Sequence, residues 1–297
     1  MKHFLSVADL DAATLQVLLD RAQGFKDARA DHARPLKGRS IGMLFEKPST
    51  RTRISFEVAI SELGGHPLVL SGADLQLGRG ETLEDTARTV SRYLHGFVVR
   101  TFEQQRLELL ASHSTIPIVN ALSDTEHPCQ TLADLLTLRQ RFGTLSELEI
   151  SYIGDGNNVA NSLIIGCALA GIQITVVTPA GFEPSPAAVE AARALGGRVT
   201  LSDDPTSVKC SRAIYTDVWT SMGQEEEAEQ RRQRFADYQI DATLLEQASA
   251  DAIVLHCLPA HRGEEISPEV FEAHAQVIFD QAENRLHVQK AILEHLI

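Results

Sequence analysis

The segment Ser49-Thr50-Arg51-Thr52-Arg53 follows an apolar stretch and opens a helix. Ser49 is a good N-cap, because its hydroxyl oxygen can accept from a free N–H of the first turn. Those N–H groups and the positive end of the helix dipole suit a phosphate, and the hydroxyls and the Arg51 guanidinium add donors. The same residues also make an ordinary capped helix with surface arginines. Arg100 ends the apolar stretch Val98-Val99-Arg100-Thr101, at the kind of strand end where open α/β sheets bind ligands. Arginines at strand ends are common, so this segment is weak by itself. In His127-Pro128-Cys129-Gln130 the proline suits a first helical turn, which puts His127 and Gln130 at a helix start. A zinc site on His127 and Cys129 is discounted, because no other Cys/His cluster has zinc spacing.

Further along, Gly154-Asp155-Gly156-Asn157-Asn158 follows a strand and opens a helix, loosely imitating a dinucleotide fingerprint. That fingerprint wants an acidic residue at the end of the next strand, about 20 residues on. The next strand ends Thr178-Pro179-Ala180, without a carboxylate, so the turn is better suited to present Asn157 or Asn158 to a small ligand. Asp217-Val218-Trp219-Thr220-Ser221-Met222-Gly223 leaves a strand with a carboxylate that could pair with a substrate ammonium, or it is a plain strand–helix loop. His256-Cys257-Leu258-Pro259 again follows an apolar strand, and a thiol there can be buried filler or a reactive group. Arg285, in Glu283-Asn284-Arg285 on the last helix, is a surface residue unless its context promotes it.

The elements that must position these residues alternate between helix and strand along the whole chain. Strands are expected at Arg39–Phe45, His66–Leu70, Gly96–Thr101 and Ile116–Asn120. A second series is expected at Glu149–Ile153, Ile172–Thr178, Arg198–Leu201, Ala213–Thr216, Ala252–Leu255 and Val277–Phe279. Helices are expected at 9–30, from Ser49 to the Gly64-Gly65 stop, at 81–95, 103–113 and 127–142, and finally at 281–296. Short apolar strands alternating with helices argue for an α/β fold with two doubly wound parallel-sheet domains. The division is expected near 140–148, giving domains of 1–140 and 141–280. The charge run Glu225–Arg234 reads mostly as solvated helix surface.

Composition narrows the class. The 297 residues suit about two domains, and 43% hydrophobic with 23% charged residues is ordinary for a soluble globular protein. No apolar run reaches the roughly 18 residues of a membrane span, and Met1–Ser6 has the character of neither a secretory signal nor a transit peptide. Net charge is 27 − 40 = −13, which argues against nucleic acid or an anionic membrane as partner. A local basic cluster for a small anion is still compatible with it. Four cysteines, at 129, 167, 210 and 257, form no CxxC pair, which fits free thiols in a reduced, cytoplasmic protein.

Each segment is modest alone, but their order is informative. Ser-Thr-Arg-Thr-Arg at 49–53, His-Pro-Cys-Gln at 127–130, Asp-x-x-x-Ser-Met-Gly at 217–223 and His-Cys-Leu-Pro at 256–259 together resemble the aspartate/ornithine carbamoyltransferase family, and within it the ornithine branch. The resemblance spans essentially the whole chain. It implies a carbamoyl-phosphate domain joined by the C-terminal helix 281–297, an ornithine domain, and an active site in the cleft between them. It implies that Ser49, Thr50, Arg51, Thr52, Gln76, Arg100, His127, Pro128, Cys129, Gln130, Cys257, Leu258 and Arg285 bind carbamoyl phosphate. Arg100, His127 and Cys257 would be catalytic, and Asn158, Asp217, Ser221 and Met222 would bind ornithine. A homotrimer is implied, with Gln76, in Asp74–Glu81, reaching the neighbour's site. No metal or organic cofactor is implied. The reaction would serve arginine biosynthesis or, in reverse, arginine degradation.

Rival readings differ at named residues. An aspartate-using enzyme should carry a basic acceptor loop, whereas here Asp217 precedes Gln224-Glu225-Glu226-Glu227, which suits a cationic acceptor. N-acetylated or N-succinylated ornithine lacks the charged α-amine, which leaves Asp217 less to do, and putrescine has no carboxylate for the Ser221-Met222 loop. A non-catalytic dinucleotide-binding protein rests on Gly154-x-Gly156 alone.

Overall fold

The computed structural model describes residues 1–72, 80–220 and 227–297. The expected Gln76, Ser221 and Met222 lie outside the described residues. The elements begin with α1 (Ala12–Asp27), β1 (Ser40–Phe45), α2 (Thr50–Glu62), β2 (His66–Ser71), α3 (Leu83–Val90), β3 (Gly96–Arg100), α4 (Gln104–His113), β4 (Ile118–Leu122) and α5 (Pro128–Phe142). They continue with β5 (Glu149–Ile153), α6 (Asn158–Ala170), β6 (Gln173–Val177), α7 (Pro186–Ala194), β7 (Arg198–Ser202), β8 (Ala213–Thr216), α8 (Ala228–Phe235), α9 (Ala242–Leu245), β9 (Ile253–His256) and α10 (Pro268–Leu296).

The chain forms two compact units, 1–133 with 284–297, and 134–283. Each is a parallel sheet with helical crossovers. The strand order is β2-β1-β3-β4 in the first unit and β7-β6-β5-β8-β9 in the second. All pairings within both sheets are parallel, so the two-domain, doubly wound α/β expectation is met. Parallel strands covered on both faces need apolar side chains throughout, and β3, β8 and β9 are buried along their whole lengths. Leu44, Phe97, Val99, Leu107 and Ile118 make the first core. Ile153, Ile214, Trp219, Phe235, Val254 and Phe271 make the second.

The sequence order hides a reversal in each sheet. In the first, the chain leaves β1 for the β2 edge and returns on the other side to β3. In the second it leaves β5 toward β6 and β7, then returns to β8. The gap at the C-terminal ends of the two central strands is the place where such sheets accept ligands. Phe45 and Arg100 end the first pair, and Ile153 and Thr216 end the second.

One expected element is different. Val277–Phe279 is not a strand but part of α10. A short apolar run does not distinguish the two periods. Val270, Phe271, Val277 and Ile278 are buried at helical spacing, while Phe279 is 56% exposed on the other side. The last residues of α10 belong to the first unit. There Arg21 donates to Glu294 at 2.7 Å, Lys26 to Asn284 at 2.9 Å, and the fully buried Lys290 pairs with Glu62.

Two glycines respond oppositely to a methyl group. A Cβ on Gly156 would come within 2.3 Å of the Pro184 nitrogen and 2.6 Å of the Phe182 carbonyl oxygen, both backbone atoms that cannot swing away. Gly24 lies inside α1 with nothing within 4 Å of such a Cβ. Gly156→Ala is expected to destabilise by about 1–3 kcal/mol or more. Gly24→Ala is expected to stabilise by about 0.5–1 kcal/mol. Urea unfolding of both variants checks the pair, and equal, small effects would contradict the packing around Gly156.

Candidate active site

In the first unit, β1 ends at Phe45 and the chain turns into α2. Ser49 is extended (φ −162°) and its Oγ accepts from the Thr52 N–H at 3.2 Å, so it caps the helix as expected. Beside it, the backbone N–H of Glu46 donates to the Arg100 carbonyl at 2.9 Å, which ties the ends of β1 and β3 together. Arg285, from the last helix, donates from Nη2 to Thr52 Oγ1 at 2.9 Å. Context thus promotes it from surface residue to buried cation. Arg100 and Arg285 are both about 5% exposed or less, Thr52 is buried, and Thr50 and Arg51 are exposed.

His127 precedes α5, and its carbonyl accepts from the Gln130 and Thr131 N–H groups to start that helix. The imidazole is buried. Burial first, then the positive charges of Arg285, Arg100 and Arg51, holds its pKa well below the ordinary 6.5, so the ring is neutral. A neutral imidazole among three guanidinium groups is a hydrogen-bond donor or acceptor without a charge of its own. Pro128, Cys129 and Gln130 form the first turn of α5 and are buried. The Cys129 thiol donates to the Asn120 carbonyl at 3.4 Å, and burial pushes its pKa up to about 12, so it is an inert packing group. The cluster of Ser49, Thr52, Arg51, Arg100, His127 and Arg285 offers cations and a capped helix start to a small dianion.

In the second unit, Asp217 follows β8. Its Oδ2 accepts from Asn157 Nδ2 at 2.8 Å, and its Oδ1 accepts from the Cys257 thiol at 2.8 Å. Asn157 is held from its other end, because its Oδ1 accepts from Val159 and Ala160 N–H and so caps α6. Asn158 is the first residue of that helix and is half-buried. Cys257 follows β9, and the next residue, Leu258, has φ +62°, a conformation that L residues other than Gly, Asn and Asp rarely adopt. The Leu258 N–H donates to His256 Nδ1 at 2.8 Å. His256 therefore carries its proton on Nε2 and donates it to Glu265 Oε1 at 3.0 Å. This buried chain turns the strand end so that the Cys257 thiol meets Asp217.

Of Asn157 and Asn158, both named from the sequence, Asn157 is the one whose amide donates to Asp217. The available signal was the N-cap position itself, an Asn immediately before an apolar helix. Asp217, His256 and Cys257 offer ligand atoms within 4.8 Å of one another, as do His261, Glu264 and Glu265. In the first trio, these side chains are engaged in the hydrogen bonds just described. All four cysteines are free. Among the described residues, no helix is long and apolar enough to cross a membrane.

One unit carries a cationic cluster at its sheet's reversal and the other a carboxylate–thiol pair at its own, each on a parallel α/β sheet. Residues 2–140 match the carbamoyl-P binding domain of aspartate/ornithine carbamoyltransferase, and residues 146–296 match its Asp/Orn binding domain. An ornithine carbamoyltransferase of Acidothermus cellulolyticus is 55% identical, with 100% of this chain and 97% of that one covered. The solved ornithine carbamoyltransferase from Pyrococcus furiosus superposes with a TM-score of 0.94 at 45% identity, covering 98% and 96%. The anabolic enzyme of that name from Campylobacter jejuni gives 0.94 at 40%, covering 100% and 99%. The chain belongs to the aspartate/ornithine carbamoyltransferase family.

The lowered pKa of His127 fixes the sign of a pH effect. The unfolded chain takes up a proton at this residue before the folded one does. The stability due to keeping it neutral is complete above pH 6.5 and is lost as pH falls below that value toward the folded pKa. His127→Gln is expected to make the loss of Tm below pH 6.5 shallower. Thermal unfolding followed across that range tests this; an unchanged slope would mean that the fold does not lower the pKa of His127.

Proposed function

We propose that this chain transfers the carbamoyl group of carbamoyl phosphate to the δ-amine of L-ornithine, giving L-citrulline and phosphate. The observation that carries this reading is the acceptor cluster, where the Asp217 carboxylate is fixed by Asn157 and faces a thiol. An aspartate-using enzyme would need cations at this place, whereas an ammonium-bearing acceptor needs an anion. Residues 1–140 with 281–297 form the carbamoyl-phosphate domain and 141–280 the ornithine domain. Ser49, Thr50, Arg51, Thr52 and Arg285 hold the phosphate, with Pro128, Cys129 and Gln130 shaping the start of α5 beside it. Leu258 and Gln130 orient the carbamoyl group. Asn158 and Asp217 hold the amino-acid end and the amines of ornithine, with Ser221 and Met222 completing that contact. The working assembly is a cytoplasmic homotrimer in which Gln76 serves the neighbouring site. No cofactor is required.

The chemistry follows from what each group can do. The δ-amine gives up a proton, and its lone pair attacks the carbonyl carbon to form the C–N bond. Negative charge grows on the carbonyl oxygen, where Arg100 and the neutral His127 donate. The intermediate then collapses, the bond from carbon to the phosphate oxygen breaks, and phosphate leaves with that electron pair, taking up the second proton that the attacking nitrogen sheds. Cys257, whose S–H points to Asp217, orients the amine or, once its own proton has passed to Asp217, takes up the amine proton. The main work of the protein is to align two reactants and to stabilise developing charge.

The first test is product formation from carbamoyl phosphate with ornithine, N-acetylornithine, putrescine and aspartate in parallel. Citrulline from ornithine, with little product from the others, is expected. Preference for another acceptor would overturn the role of Asp217, and no product at all would overturn the reaction. His127→Ala should lower kcat by about 10²–10³, the usual cost of one oxyanion donor. Cys257→Ala should lower turnover while carbamoyl phosphate still binds with nearly unchanged affinity; a large loss of that affinity would contradict its place on the acceptor side.

A further inference from the structure

We propose that Arg231 is a positioning residue for the amine-binding carboxylate, holding together the two backbone segments between which Asp217 is fixed. The proposal rests on the ornithine reading above and deepens it. Arg231 lies in the charge run Glu225–Arg234, which the sequence suggests is mostly solvated helix surface. The structure corrects this for one residue. Arg232 pairs at the surface with Glu229 and Glu264, whereas Arg231 is only 7% exposed.

Its contacts converge on the acceptor cluster. Nη1 donates to Asp155 Oδ2 and to the Trp219 carbonyl oxygen, each at 2.9 Å. Nε donates to Glu227 Oε2 at 3.2 Å, and the guanidinium sits 5.1 Å from the centre of the Phe182 ring. Asp155 belongs to the turn after β5, two residues before Asn157, and the Asp155 carbonyl accepts from the Asn157 N–H at 2.7 Å and from the Tyr152 hydroxyl at 2.8 Å. Trp219 is two residues beyond Asp217. A single nitrogen of Arg231 therefore bridges the turn that carries Asn157 and the strand exit that carries Asp217. These are the same two segments that the Asn157–Asp217 hydrogen bond joins. The Phe182 carbonyl also accepts from Gly156 N–H at 2.9 Å, so the turn is held on its other side as well.

Packing alone does not call for this cation. Phe235, on the same helix, already supplies the apolar contact, stacking on Trp219 at 5.8 Å and meeting Phe182 at 4.8 Å. A buried ion pair is costly to assemble and best explained where it fixes geometry. Burial pushes the pKa of Asp155 up, and the Arg231 cation opposes that rise. Lysine in place of Arg231 would keep the charge but lose the planar group whose Nε also reaches Glu227 and whose face meets Phe182.

The test compares Arg231→Met, Arg231→Lys and the neutral pair Asp155→Asn/Arg231→Met, which leaves no uncompensated buried charge. Arg231→Met is expected to raise KM for ornithine ~10-fold and leave KM for carbamoyl phosphate within ~2-fold, with Arg231→Lys in between. The neutral pair should recover Tm without recovering ornithine KM. An independent readout needs no substrate. In a Cys210→Ser background the buried Cys129 and Cys167 are inert, so iodoacetamide reports on Cys257, and Arg231→Met should speed its alkylation about threefold or more as Asp217 loosens. Recovery of ornithine KM along with Tm in the neutral pair, an equal rise of both KM values, or an unchanged alkylation rate would each overturn the proposal. Failure of the ornithine reading shows separately, as no citrulline from the parent protein, and the alkylation rate then decides the role of Arg231 alone.

Discussion

Parallel strands cannot be joined by a tight turn, so each must be followed by a crossover that returns the chain to the same end of the sheet. The crossovers pack on whichever face the chain has turned toward. Where the order of strands reverses, two neighbouring strands send their chains in opposite directions and leave a gap at their C-terminal ends. The placement of Ser49, Arg100, Asn157 and Asp217 depends on that constraint. β1 and β3 open such a gap in one sheet, and β5 and β8 open another in the second. The segments that leave these strands, at Ser49 and Arg100 and again at Asn157 and Asp217, lie at these gaps.

The two gaps solve opposite electrostatic problems. The first gathers cations and a helix start, and it keeps the one titratable ring among them neutral by burial and by the repulsion of three guanidinium groups. A neutral His127 adds a donor without adding to the charge that the site must hold in the absence of an anion. The second gathers a carboxylate and satisfies both of its oxygens, with an amide on one side and a thiol on the other. A buried carboxylate without partners would be costly. With two fixed partners it stays oriented and presents an anion at the place where an amine-bearing acceptor is expected. The strained turn at Leu258 is part of the same arrangement, since it is the turn after β9 that brings Cys257 to Asp217.

Local order was largely legible because it obeys local rules. Parallel strands buried on both faces announce themselves as short apolar runs, and an N-cap announces itself as Ser or Asn before a helix. The failure at Val277–Phe279 is instructive for the same reason. Three apolar residues fit either period, and only the burial of Val270, Phe271, Val277 and Ile278 along one side of α10 decides between them. Arg231 failed differently. Nothing in a run of acidic and then basic residues marks which arginine will face inward, because that depends on where Asp155 and the Trp219 carbonyl lie in the fold.

The sequence by itself determined the α/β class, the presence of two parallel sheets, the cap of α2, and the identities of the residues that leave each strand end. These are matters of residue type and short-range spacing. Only the tertiary structure decided that Arg285 reaches Thr52, that Asn157 rather than its neighbour grips Asp217, that the Cys129 thiol is spent on a carbonyl while the Cys257 thiol meets a carboxylate, and that Arg231 is buried. Most of these join residues tens to hundreds of positions apart, or choose between adjacent residues of the same type. Such choices are set by which strand ends the sheet order brings together, and no local pattern encodes that order.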